Sequence, residues 1–495
     1  MKRLPLVRLL LFLGSLTGCA VGPDYQMPRL QLPAQFAASP ASEAKALVDP
    51  ARWWKWLGDK RLDALVEQSV SANLDLQIAL TRLQSVQEGE ALTMGKALPA
   101  LGAAGAAGQG SGSDVTRGRV PSLLTSADDS SQAARIHQLA GFDLDADLDF
   151  FGRNRRAIEA AAADTAAAAE ARNAVLVGII AEMVRAYVDL RGFQSQLAVL
   201  DQDIRLAGES RDFVKIRFER GLTNELDLTL AEREVSVLTA RKAPLEAERD
   251  ASLSAIALLI GRSRGELPKD LAVAQPLPTL PNSVDPGQPL TLLRRRPDLR
   301  QAERQLAAST ARIGVAISAL FPQVNLGASG GAQFSRIGPA GAQSIWSFGP
   351  SVTWPLLDFG TIDAQIAIAT LKSKEDLLRY RRVVVTAIRD VDIASANFAA
   401  QQDRLADLGA ALSQAERAVA LAKQRYERGL TDFLNVVDAE RQEYVLEADL
   451  VATQQAAAEQ FVALYLSLGG GWEHYQTIPP VPAPHPALVA LFEHM

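Results

Sequence analysis

Cysteine is almost absent: Cys19 is the only one in 495 residues. An intramolecular disulfide is therefore excluded, and so are the cysteine patterns of zinc sites. Histidine is scarce too. His137, His474, His485 and His494 form no H-x-x-x-H pair, and three of them lie in the last 22 residues. No basic run suits a nucleic acid, and the formal net charge is −6. A G-x-S-x-G nucleophile with partners, a phosphate-binding glycine loop and a metal cluster are missing. The expectation is no enzyme, no metal, no cofactor and no nucleic-acid partner. Proline is missing from two long stretches, Gly152 to Gly221 and Gly360 to Gly429. Both are rich in Ala, Leu, Arg, Glu and Gln, which favour helix. Each predicts a helix of about 100 Å at 1.5 Å per residue.

The lone cysteine has a local explanation. The chain opens MKRLPLVRLLLFLGSLTGCA, with Lys2, Arg3 and Arg8 before a short apolar core at Leu9 to Leu13. That core is too short to span a bilayer and suits a signal peptide. Leu16-Thr17-Gly18-Cys19 resembles a bacterial lipobox, in which the cysteine is lipidated and becomes the first mature residue. Ala20, where an Asp would retain the protein, implies the outer membrane. An ordinary signal peptide with an incidental cysteine is the alternative.

Seventeen residues are nearly repeated. RFERGLTNELDLTLAER spans 217–233 and RYERGLTDFLNVVDAER spans 425–441, an offset of 208. Internal repeats of this kind decide the fold. Gly221 and Gly429 suit the residue that ends a helix, and Asn224 or Asp432 can cap the next one. Helical composition resumes over 225–260 and 433–468. Each copy is thus read as the tip of a long antiparallel helical hairpin. Pro244 lies in the first return helix, where Ala452 stands in the second, and predicts a local kink.

Before each long helix the pattern has period two. In FDLDADLDF (142–150), Phe142, Leu144, Ala146, Leu148 and Phe150 face away from Asp143, Asp145, Asp147 and Asp149. IWSFGPSVTWPL (345–356) separates Trp346, Phe348, Val352, Trp354 and Leu356 from Ser347, Gly349, Ser351 and Thr353. This is strand patterning. It fits a transmembrane barrel strand and equally a soluble sheet with one wet face. The aspartates recur about 7 Å apart, loose for one calcium ion, so a hydrated lumen wall is expected. Two further candidates, the weak ALPALGAAGAAG and ALFPQVNLGASGG, in which Val324, Leu326 and Ala328 alternate with Gln323, Asn325 and Gly327, complete a strand pair in each half. Asp75-Leu76 and Asp298-Leu299 are 223 apart, so the repeat covers far more than the tips, and the first strand pair has the longer loop. Four strands cannot close a barrel, and open edges are not tolerated in hydrocarbon. Several chains about a cyclic axis are required.

Several segments together resemble the outer-membrane factors of tripartite efflux systems, the TolC/OprM-like lipoproteins of NodT type. They are Cys19 to Tyr25, WWKWLGDKRLDALV from Trp53, LLRRRPDLRQAERQLAAS from Leu292, LFPQVNLGAS from Leu320, PLLDFG from Pro355 and LGGGW from Leu468. The resemblance covers nearly the whole chain. It implies an α+β membrane protein: a homotrimer with a twelve-stranded β-barrel in the outer membrane and a helical α-barrel across the periplasm. The Trp53 and Arg294–Pro297 regions would form a belt at its middle.

The expected divisions follow. Residues 1–18 are the signal peptide and 19–98 the lipidated segment with the first helices. Residues 99–151 hold the first strand pair and 152–263 the first hairpin. A linker follows over 264–296, a helix over 297–321 and the second strand pair over 322–359. The second hairpin takes 360–468 and a Pro-rich tail 469–495. The implied function is passive exit of small toxic compounds, driven by an inner-membrane pump and reached through a periplasmic adaptor. A duct for secreted proteins, or a lipid-anchored spacer without a pore, are the other readings. Arg220, Gly221, Leu222, Thr223 and Arg428, Gly429, Leu430, Thr431 would meet the adaptor, although Gly and Thr can serve only as caps. By the same resemblance Asp432, Asn435 and Asp438 would look into the pore as a constriction. Arg425 and Arg428 would tie neighbouring helices shut, and outer-membrane lipid is the remaining partner.

Overall fold

The computed structural model describes residues 20–37, 50–110, 135–281, 284–335 and 341–475. Cys19, the expected leader before it and the tail beyond Tyr475 lie outside the described residues. Each half of the chain has the same order. In the first half come α1 (Lys60–Ala72), α2 (Leu74–Ala97), β1 (Ala100–Gly110), β2 (Arg135–Asp147), α3 (Arg153–Glu219), α4 (Glu225–Ala240) and α5 (Lys242–Leu259). In the second come α6 (Pro289–Arg295), α7 (Pro297–Ser318), β3 (Gln323–Ser335), β4 (Gly341–Thr353), α8 (Phe359–Glu427) and α9 (Phe433–Leu468). The long helices α3 and α8 have 67 and 69 residues. None of the described helices is long and apolar enough to cross a membrane.

Pro244 acts at a distance of one turn. It lacks the N–H that Ala240 O would accept, and the return helix is interrupted at Arg241, between α4 and α5. With alanine at 452, α9 runs through without a break.

The strands form one antiparallel sheet in the order β1-β2-β3-β4. Its register stacks Leu101, Leu144, Ala328 and Phe348 in one row, and Phe142, Gly330 and Trp346 in another. These residues share one face. The opposite face carries Asp143, Ser329 and Ser347, then Asp147, Asn325 and Ser351. The strand expected over 142–150 stops earlier, at Asp147. Asp149 has a positive φ of 42°. Its carboxylate turns back to accept from the N–H groups of Asn154 (2.9 Å) and Arg155 (3.0 Å). Those donors are orphans of the first turn of α3, and satisfying them outweighs continuing the alternation. Likewise Trp354 and Leu356 lie beyond the end of β4.

The main core sits halfway along the long helices. Leu176 to Leu190 of α3, Tyr380 to Phe398 of α8 and Ala458 to Leu468 of α9 meet there. The turn Pro50–Leu57 plugs Trp53 and Trp54 into this junction. Arg296 closes it from the second half, donating to Ser467 O (2.8 Å) and to the Asp298 carboxylate (2.7 and 3.0 Å).

Candidate functional site

Both hairpin tips are built the same way. Gly221 and Gly429 each have φ of +70°, a conformation that costs an L side chain about 1 kcal/mol or more. Leu222 N–H donates to Arg217 O and Gly221 N–H to Phe218 O, each at 2.9 Å; Leu430 to Arg425 and Gly429 to Tyr426 repeat both distances. This paired pattern satisfies the last carbonyls of a helix. Beyond the glycine the copies differ. Asn224 caps α4 by accepting from Asp227 N–H (2.9 Å), and Thr223 donates to the Asp227 carboxylate. Asp432 occupies the same place before α9 but makes no side-chain cap bond. There Asn435 instead donates to the Thr431 hydroxyl (2.8 Å).

The two tips pack side by side. Val214 and Ala231 of the first pair touch Tyr426, Phe433, Val436 and Val437 of the second. The Arg217 guanidinium lies 5.0 Å from the Tyr426 ring centre and 5.8 Å from that of Phe213. Sequence reasoning passed over Arg217 and Tyr426, although both lie inside the repeated segment. What remains outside this cluster is the expected site. Arg220, Arg428, Leu222 and Leu430 are exposed at the extremity, with Thr223 and Thr431 half-buried beside them. Asp432, Asn435 and Asp438 are exposed together on the face of α9 opposite Phe433, Val436 and Val437. Arg425 and Arg428 are exposed as well, and among the described residues they make no ion pair within the protomer.

At the other end of the helices the sheet exposes a broad apolar face. Trp346 is 80% and Phe142 62% accessible. Leu101, Phe348 and Val352 are exposed beside them. The reverse face is hydrophilic, with Ser329 and Ser347 joined by a 2.6 Å hydrogen bond. The outermost strands β1 and β4 each have a partner on one side only.

The segment after Cys19 is pinned at the foot of the sheet. Val21 N–H donates to Phe151 O (3.2 Å), and a Cβ placed on Gly152 would lie 2.6 Å from the Ala20 Cα. Arg156 clamps this strap, donating to Val21 O, Gly22 O and Asp24 at 3.1, 3.1 and 2.7 Å. Further along, the Tyr25 hydroxyl donates to Glu303 (3.1 Å), and burial beside that carboxylate pushes its pKa up. The strap reaches the central core at Phe36. Ala20 therefore starts where the strands end.

Comparison with known proteins agrees with this geometry. The sequence pattern of the family described as "Outer membrane efflux protein" matches residues 65–262 and 289–470. Nodulation protein T of Rhizobium leguminosarum bv. trifolii is 30% identical over 92% of this chain and 95% of its own. The solvent efflux pump outer membrane protein SrpC of Pseudomonas putida is 30% identical over 95% of this chain and 98% of its own. The solved outer-membrane channel OprN superposes with a TM-score of 0.83 at 33% identity, covering 92% of this chain and 100% of that one. A match of this extent, on a fold that joins an amphipathic sheet to paired hairpins, leaves one assignment: the chain belongs to the outer membrane efflux protein family.

Proposed function

We propose that three copies of this chain close a twelve-stranded barrel through the outer membrane and continue it as a helical tube across the periplasm. The carrying observation is the sheet: apolar on one face, acidic and hydroxylated on the other, with both outer strands open. Such edges and such a face are stable in lipid only when edges pair with other copies and the apolar face meets hydrocarbon. A periplasmic spacer without a pore would leave Trp346 and Phe142 in water. The helices support the same assembly. Leu371, Leu378 and Val385 are exposed on α8 at intervals of seven residues, the spacing of a helix seam awaiting a partner. Light scattering of the detergent-solubilised protein should give three times the chain mass. A monomer with native helix and strand content would sink the proposal.

Cys19 is the lipid anchor in this reading. Ala20 lies at the strand–helix junction, where the inner leaflet of the outer membrane would lie, so acyl chains on the preceding residue enter lipid without unfolding the strap. Because the barrel itself spans the membrane, Cys19→Ser should lose the acyl chains and still fractionate with the outer membrane. Full release into the periplasm would contradict the barrel.

The duct passively exports small toxic compounds, a class that includes the solvents named for SrpC. A periplasmic adaptor meets Leu222 and Leu430 at the tips and links the duct to an inner-membrane pump. Threefold symmetry turns the exposed Asp432 and Asp438 into acidic rings, with Asn435 between them. Arg425 and Arg428, which have no ion-pair partner among the described residues of the protomer, are available to carboxylates of the neighbouring copy. Acidic rings in a low-dielectric channel attract cations. Planar-bilayer recordings should show a weakly conducting, cation-preferring pore. Asp432→Ala with Asp438→Ala should reduce the preference; an unchanged reversal potential would remove these residues from the constriction.

A further inference from the structure

From the edge of the central core towards the tips, α3 and α9 meet through polar layers. On α3 the layers fall at Asp189, Gln196, Asp203 and Ser210, seven residues apart each time. Facing them on the antiparallel α9 are Glu459 and Gln455, then Glu447, then Glu440. The Gln455 amide nitrogen donates to Asp189 (3.3 Å) and Glu459 (3.2 Å), and Gln196 donates to the Gln455 oxygen (2.8 Å). Gln455 lies across Gly192, where a Cβ would sit 2.2 Å from its side-chain oxygen. Ser210 donates to Glu440 (2.7 Å), which also pairs with Lys423 of α8 (2.9 Å).

The layer at Asp203 is different, because no cation closes it. Asp203 is 2% exposed, and its Oδ1 has no hydrogen-bond partner among the described residues. Across the seam Asp203 faces the Glu447 carboxyl, close enough that a proton shared between the two would relieve their repulsion. Glu443 and Tyr444 of α9 also face it. Arg241, at the α4–α5 break, gives only a weak attraction. The surrounding shell adds Glu234 of α4, Glu440 of α9 and Glu416 and Lys423 of α8, of which only Lys423 is positive. Leu200, Ala207, Leu238 and Tyr444 enclose the layer in a small apolar cluster. Asp189 and Glu459 make a second carboxyl–carboxyl contact, with Arg185 at 3.9 Å from Glu459.

We propose that these carboxyl layers are a proton-operated seam: shared protons hold α9 against α3, and their loss loosens the helix that carries Asp432, Asn435 and Asp438. Burial, then the bond and charge of Glu447, push Asp203 up to about 8. Burial and Glu459 push Asp189 up to about 6. A carboxyl raised in the packed state binds a proton there that the loosened state would release. Packing is therefore favoured in acid, weakens as pH rises from the ordinary carboxyl range towards 8, and levels off above it. The seam itself follows from the fold; its effect on the constriction rests on the duct reading.

Hydrogen exchange on the intact detergent-solubilised protein tests this. After correction for chemical exchange, protection over 436–450 should fall about a hundredfold between about pH 6 and 9, the equivalent of about two pK units of linkage. Asp203→Asn replaces the shared proton by an amide N–H and should keep protection flat over that range, as should Glu447→Gln. Equal profiles for wild type and Asp203→Asn would overturn the seam. Bilayer conductance of the same samples should rise with pH in the wild type only. A pore whose conductance ignores pH while exchange responds would overturn the coupling to the tip. Absence of any pore would count against the duct and leave the exchange result standing.

Discussion

Trp53→Ala should lower the stability of the central core by about 3–5 kcal/mol, the range for removing a large aromatic from a packed interior. Trp53 is 1% exposed and stacks on Tyr465 with ring centres 5.3 Å apart and planes inclined by 8°. It meets Trp54 and Phe461 edge-on at 6.1 and 6.2 Å. Three elements converge on it, and alanine would leave a cavity among side chains held by long helices that cannot close in. Gly471 lies over the pair, so close that a Cβ there would be 3.5 Å from both rings. Trp56 supplies the control, being 45% exposed on the same turn. Heat-induced loss of helical circular dichroism should come earlier in Trp53→Ala and be nearly unmoved in Trp56→Ala. Equal shifts would mean that the plug is not part of the core.

How much of this was legible in the sequence depends on the range of the interaction. The tips were, because a positive-φ glycine and the capping Asn224 act within a few residues. So was the interruption near Pro244, which follows from one missing donor. The alternation of 142–147 was plain for the same reason. It misled at Asp149, where side-chain pattern continues after the backbone has turned to cap α3. β1 was faint because Ala and Gly fill both of its faces, and only pairing with β2 gives it a direction. The polar layers of α3 were invisible, since Asp189 and Asp203 look like ordinary solvated residues of a polar helix. Only the antiparallel register with α9 puts Glu459 and Glu447 against them. Trp53 and Arg296 stood out through family resemblance, with nothing local to say that they meet the end of α9.

Phe348→Arg should abolish assembly in the membrane, and Ser347→Arg should not. The two positions are adjacent on β4 and face opposite ways. Phe348 lies in the row of Leu101, Leu144 and Ala328 on the apolar face. Ser347 lies in the row of Ser329 and Asp143 on the other. An arginine facing hydrocarbon near the bilayer midplane costs about 2–4 kcal/mol in a barrel, and three copies would make about 6–12 kcal/mol. That is comparable with the whole stability of many domains. On the inner face of the proposed barrel an arginine stays hydrated, shares its row with Asp143 two strands away on β2, and loses only the Ser329 hydrogen bond, about 1 kcal/mol. Outer-membrane fractions should therefore contain assembled Ser347→Arg and little or no Phe348→Arg. In the proposed duct the Ser347→Arg pore should also prefer cations less, because positive charge is added to the acidic face that would line the lumen. If both variants assemble equally, the apolar face does not meet lipid. If Ser347→Arg alone fails, the two faces of the sheet have been assigned the wrong way round.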